Sequence, residues 1–194
     1  MTQARPAGIR AEKDPAATAQ RCAARIFLFT LSEKGGVFFM RIEHHPRFLD
    51  QLKRHEGLRL EAYRCPAGAL TIGYGHNLDQ HPVPNVGEEG DRISRMEALK
   101  LLELDVRSCG QELDGAFPWW RRLAEPRQAA LLNMCFNLGL TKLAKFRKMW
   151  AALESEDYVR ASEEMLDSKW KSDVKGRALE LAAQMRTGAW QEGA

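Results

Sequence analysis

The chain has 194 residues, 44% of them hydrophobic and 28% charged, with a formal charge of +3, which is ordinary for a soluble globular chain and long enough for one well-packed domain in one or two lobes. Residues 1–40 carry six Lys/Arg and three Asp/Glu while residues 41–194 carry 23 of each, so the charge excess sits wholly in the N-terminal stretch and nucleic-acid binding has little support. Cys22, Cys65, Cys109 and Cys135 show neither metal-ligand spacing nor a dense disulfide framework, so no metal site is expected and reduced thiols are the default.

Residues 1 to about 40 are rich in Ala, Arg and Gln and lack sustained periodicity. They read as a disordered extension or as the product of a start codon assigned upstream of Met40; the functional alternative is an export or membrane tail. The most apolar run, Ile26 to Leu31, is interrupted by Glu33 and Lys34. It is shorter than the ~7–15 residues of a signal core and the ~20 of a membrane span, so stable membrane insertion is not expected.

Phe48, Leu52 and His55 recur at helical spacing, and Glu56 is followed by Gly57, a residue that ends helices in a left-handed conformation. A carboxyl is thus expected at the lip of a helix. From Leu58 to Tyr63 apolar and charged residues roughly alternate, a strand signal; Cys65-Pro66-Ala67-Gly68 is a turn, and Ala69 to Gly75 is a second extended run. Gly73 and Gly75 suit points where another backbone or a ligand comes close. The resulting hairpin lets Glu56, Cys65 and Thr71 converge at its base.

Leu78 to Asp91 holds Pro82, Pro84, Gly87 and Gly90 and reads as loop, with little room for a long third strand. Ser94 and Glu97 form a capping box, and Met96, Leu99, Leu102, Leu104 and Val106 offer a broad apolar face, predicting a helix from about Ser94 to about Leu113. Phe117-Pro118-Trp119-Trp120 breaks it, and Pro126 opens a nearly all-apolar helix. Amphipathic helices are expected over Leu143–Glu154, Asp157–Ser168 and Arg177–Met185.

A Glu, eight residues, an Asp or Cys, five residues and a Thr, set in an EGLRL...Y...G..TIGYGH frame, resembles the phage-type lysozymes, glycoside hydrolase family 24. The three positions are Glu56, Cys65 and Thr71, a Glu-Cys-Thr variant of a pattern whose best-known members carry Asp in the middle. FNLG and SKW...GRA...MRTGAW further along also resemble the family, so the likeness covers about residues 42–190. It implies an α+β, predominantly helical fold in two lobes: residues 1–40 lie outside it, about 57–93 form a small β-hairpin lobe, 94–114 a connecting helix and 115–194 a larger helical lobe.

The resemblance makes Glu56 the general acid, paired with Arg177 from the helical lobe. A glycosidase needs one carboxyl protonated when substrate arrives, which partial burial favours and a nearby cation tempers. It also assigns a water-handling role to Cys65 and Thr71, although an ordinary thiol with a pKa of ~8.5 is a poor base at neutral pH. A small hydrophobe in a turn is the bland reading of Cys65, and strand propensity that of Thr71. His76 is assigned a supporting role, with a buried histidine packing the hairpin on a helix as the alternative. Phe136 and Asn137 match a cleft-lining position. Trp119, Trp120 and Trp150 are core by default; Trp170 and Trp190 align with positions that the family uses.

The leading expectation is a muramidase cutting the β-1,4 bond between N-acetylmuramic acid and N-acetylglucosamine in peptidoglycan glycan strands, with inversion implied by the resemblance and no cofactor. An endolysin of this kind would be a monomer that collects in the host cytoplasm, needs a membrane-permeabilising holin, and acts on the wall in the periplasm. Two alternatives are a Cys-His peptidoglycan peptidase with Cys65 as nucleophile and His76 as base, and an inactive peptidoglycan-binding module, against which the retained Glu56 and Thr71 argue.

Overall fold

The computed structural model describes residues 40–191. The expectations for residues 1–39, including the apolar run and Cys22, lie outside the described residues. After a 3-10 turn at Ile42–His44, α1 (Pro46–Glu56) leads into β1 (Arg59–Arg64), β2 (Leu70–Gly73) and β3 (His76–Asn77). The helices α2 (Arg95–Ala116), α3 (Glu125–Leu138), α4 (Leu140–Leu143), α5 (Arg147–Glu154), α6 (Tyr158–Leu166), α7 (Lys169–Val174) and α8 (Gly176–Thr187) follow, with a second 3-10 turn at Pro118–Arg122. This is a mostly helical α+β fold with a small antiparallel sheet, as the sequence resemblance implies.

The sheet runs in the order β1-β2-β3, with Tyr63 opposite Thr71 and Ile72 opposite His76. An irregularity between Arg59 and Tyr63 shifts the β1–β2 register. The segment after β3, read as loop, does form loop, but it returns along the free edge of β1. The Ala62 N–H donates to Asp91 O at 2.8 Å and the Ile93 N–H to Leu60 O at 3.0 Å. An edge otherwise open to pairing with another chain is thereby covered.

Two apolar clusters hold the chain together. The smaller packs Ala62, Leu70, Ile72, Leu78, Val86 and Ile93 against Ala98 of α2. The larger gathers Phe48 and Leu52 of α1 with Leu102, Val106 and Leu113 of α2 and with the later helices. One helix therefore enters both cores, and its Ser94–Glu97 capping box is formed, Glu97 N–H to Ser94 Oγ at 3.2 Å. Its buried face differs from the expected one. Ala98, Leu102, Val106, Gly110 and Leu113 point inward, while Met96 and Leu104 are 67% and 55% exposed. A stripe stepping by four residues and then by three, with a glycine in it, is narrower than the leucine pattern suggests.

Three later helices also depart from expectation. The helix expected over Leu143–Glu154 is split at Phe146, whose ψ of 53° is not helical, and Trp150 Nε1 donates to Leu143 O across the break at 3.0 Å. Asp157 is a cap and not a helical residue, its side chain accepting from the Arg160 N–H, and that helix stops at Leu166. The last helix is longer than expected and ends at Gly188 in the left-handed conformation.

Candidate active site

Glu56 owes its position to α1. Phe48 and Leu52 anchor this helix in the larger core, and Gly57, at φ 69°, returns its N–H to Lys53 O and turns the chain into β1. The carboxyl is therefore held at a helix end, 16% exposed. Arg177 of α8, 8% exposed, places Nη1 2.7 Å from Glu56 Oε1. The approach lies off the hydrogen-bonding axis, so the contact is an ion pair, and Oε1 has no aligned hydrogen-bond donor among the described residues. Burial lowers the pKa of Arg177, an effect that the negative charges of Glu56 and Glu180 oppose.

Glu56, Arg177 and Asn137 line one cleft of about 740 Å³, together with Asp173, Val174 and Glu180. Asn137 is oriented by Trp170, whose Nε1 donates to Asn137 Oδ1 at 2.9 Å and so leaves the amide nitrogen as a donor. Gly75 brings the hairpin up to this wall. A Cβ placed there would lie 3.7 Å from Glu56 Oε2 and 4.0 Å from Phe136 Cε1, and φ of 92° favours glycine in any case. Phe136 thus sits beside the acid as well as packing on the larger core.

Cys65 and Thr71 meet each other on the hairpin. The half-buried thiol faces the Ala67 amide first, then the Ala69 amide, the Thr71 hydroxyl and the Gly68 amide, which together hold its pKa below the ordinary thiol value although burial opposes them. Thr71 is buried and its hydroxyl donates to Ala69 O at 3.0 Å. Neither residue is among those lining the cleft at Glu56, which the hairpin reaches through Gly75.

His76 stands apart from both. Its Nδ1 lies 2.9 Å from Asp105 Oδ2 on α2 and its Nε2 2.8 Å from His81 O. Burial lowers its pKa, but the Asp105 hydrogen bond and charge and the His81 carbonyl outweigh that and raise it. A ring whose two nitrogens both face acceptors joins the hairpin to the long helix and offers no lone pair to a thiol. Trp120 and Trp150 are buried, and Phe117 stacks on Trp150 at 3.6 Å, as expected of core aromatics. Trp190 stacks on His45 at 4.8 Å.

Sequence reasoning missed the polar groups behind Glu56, which are His55, Asn133 and Glu180. Asn133 carried a signal, being a polar residue within an otherwise apolar helix and fully buried. Glu180 follows Arg177 by three positions and so shares its helix face.

A small sheet, a larger helical body, one helix entering both cores, and a carboxyl pinned by arginine at a cleft define a lysozyme-like hydrolase. The family model for phage lysozyme matches residues 53–187. The chain belongs to the phage lysozyme family. It is 34% identical over 131 residues to an endolysin of Acyrthosiphon pisum secondary endosymbiont phage 1, covering 67% of this chain and 82% of that protein. It is 27% identical over 162 residues to the probable T4-type lysozyme 2 of Dictyostelium discoideum, 74% of this chain and 95% of that one. The pre-baseplate central spike protein Gp5 of Enterobacteria phage T4 is 31% identical over 157 residues, 72% of this chain but only 27% of the spike protein.

Proposed function

We propose that the chain is a muramidase that hydrolyses the β-1,4 bond between N-acetylmuramic acid and N-acetylglucosamine in bacterial peptidoglycan. The observation that carries this reading is Glu56 held at the end of α1 by Arg177 at 2.7 Å, on the wall of a cleft of about 740 Å³. Protonated Glu56 donates to the glycosidic oxygen as the bond to the anomeric carbon breaks. A water oxygen bonds that carbon from the opposite face, and its proton passes to the Cys65 thiolate while the Thr71 hydroxyl orients the water. The anomeric configuration inverts. The amides and the Thr71 hydroxyl that lower the thiol pKa favour the thiolate that this role requires.

His76 supports the sugar-cleaving reading over a Cys-His peptidase, because Asp105 and the His81 carbonyl occupy both ring nitrogens. Residues 41–194 then form one catalytic domain with a β lobe over 57–93 and a helical lobe over 115–194. It works as a monomer on the wall in the periplasm, released from the host cytoplasm with a holin's help. No described helix is long and apolar enough to cross a membrane. Incubation with purified murein tests the reaction. Reducing ends should appear without new free amino groups; amino groups in their place would point to a peptidase, and neither product would reject catalysis.

A further inference from the structure

Behind Glu56 runs a line of buried polar groups that the mechanism above leaves unused. Arg177 Nε donates to Asn133 Oδ1 at 2.8 Å and Nη2 to the Asn133 carbonyl at 3.2 Å. An arginine Nε can only donate, so the Asn133 amide must turn its oxygen toward Arg177 and its nitrogen away. That nitrogen, Nδ2, meets His55 Nδ1 at 3.2 Å. A donor facing a ring nitrogen requires a bare lone pair there, which puts the ring proton on Nε2. His55 Nε2 in turn faces Glu180 Oε2 at 2.9 Å. Burial raises the Glu180 pKa, but hydrogen bonds from Arg54, Gln51 and His55 outweigh it and bring the carboxyl to about 2, so the acceptor is ionised. Each group in the line fixes the next.

A second proton on His55 would break the line. It would sit on Nδ1, pointing at the Asn133 NH2, and flipping that amide would aim the NH2 at Arg177 Nε instead. Two donors collide in either arrangement, and Asn133 is fully buried.

We propose that His55 is a positioning residue and a pH latch for the acid: uncharged, it holds Arg177 against Glu56 through Asn133, and its protonation releases that hold. The proposal rests on reading Glu56 as the proton donor. The charged groups facing the ring are Glu180 and Arg177 from α8 and Arg54 from its own helix; α3 contributes the neutral Asn133. Burial first, then the charges of Arg177 and Arg54, hold the His55 pKa below its ordinary value against the pull of Glu180, so the ring is uncharged at neutral pH. Turnover should fall on the acid side, below about pH 6.5.

The full chain, H55Q and H55L are compared by reducing-end release from about pH 4.5 to 8, and by 15N NMR of the His55 ring and the Arg177 Nε–H. A glutamine can accept from Asn133 and donate to Glu180 but cannot gain a proton. We expect an Nε2–H ring at neutral pH, and an Arg177 Nε–H signal that titrates with the His55 midpoint and with the acid limb of activity. H55L should lower kcat about tenfold with little change in KM, and H55Q should recover most of that loss while its acid limb disappears. An Nδ1–H ring, or an acid limb in H55Q unchanged from the parent, overturns the latch. If H55L fails to fold, H55Q still decides. If the parent releases no reducing ends, the muramidase reading falls by itself, and the coupled or uncoupled titration of Arg177 still upholds or rejects the latch.

Discussion

Replacing Glu56 with glutamine separates chemistry from fold because the substitution keeps the volume and hydrogen-bonding shape of the carboxyl while removing the transferable proton. General acid catalysis typically contributes about 10²–10⁴ in rate, or roughly 3–5 kcal/mol of barrier, and all of it should be lost. The fold should change far less. Arg177 is the buried partner and loses one counter-charge, but its bonds to Asn133 at 2.8 and 3.2 Å remain and Glu180 still faces it. Glu56 is 16% exposed and its Oε1 accepts no aligned hydrogen bond, so the ion pair is partly screened and contributes about 1 kcal/mol. In a domain of this size that shifts Tm by about 2–4 °C. Reducing-end release from purified murein and a thermal melt of the same sample give both numbers. A variant retaining more than about 5% of the parent rate refutes Glu56 as the acid. A melt lowered by more than about 10 °C would show that the pair holds the fold and that lost activity says nothing of proton transfer.

Three further outcomes follow from neighbouring geometry. Cys65→Asp should retain substantial activity, since a carboxylate of pKa near ~4 is a competent base at neutral pH, whereas Cys65→Ser should be impaired; full loss in a folded Cys65→Asp chain would remove the water-handling role. Gly110→Ala should destabilise by about 1–3 kcal/mol in a chemical melt even though alanine is the better helix former, because the new Cβ would collide with the buried Glu43 carboxylate that Arg121 holds at 2.8 Å; a stabilised variant would show that the carboxylate moves freely. His76, its pKa raised above the unfolded ~6.5, contributes stability that is fully present below that value and is lost as pH rises through the folded pKa. Urea melts of the parent minus those of His76→Gln should show this decline above about pH 6.5, and a flat difference would sink the Asp105 pairing.

The parts of the fold that sequence made legible are those coded within a few residues. Glu56-Gly57 ends α1 because a glycine accepts φ of 69° there, and Ser94 with Glu97 starts α2 because each satisfies the other's orphan donor. Pro126 falls in the first turn of α3, where its missing N–H costs nothing. The hairpin residues Cys65 and Thr71 belong to the same class, since their meeting needs only the turn between them. Arg177 beside Glu56 was reachable only through family resemblance, because no local pattern links residues so far apart.

What stayed hidden was set by partners distant in the chain. Leucines at Leu99 and Leu104 signal an inward face of α2, yet Gly110 lies inward instead, because Glu43 and Arg121 claim the space above it. Hydrophobic periodicity assumes that cores are apolar, and here a carboxylate lies buried against the stripe, Glu43 at 4% exposure with Arg121 beside it. The wall behind Glu56 escapes for the same reason. His55 sits where helical spacing assigns a core residue, and only the arrival of Asn133 and Glu180 from other helices turns it into a hydrogen-bonded link. An apolar residue at position 55 would satisfy the pattern equally well and leave Asn133 with an unpaired buried amide, a loss of about 1–3 kcal/mol that periodicity does not register. The polar residue inside an apolar helix was therefore the clue to pursue, since a fully buried asparagine requires partners and the nearest functional carboxyl lies two links away.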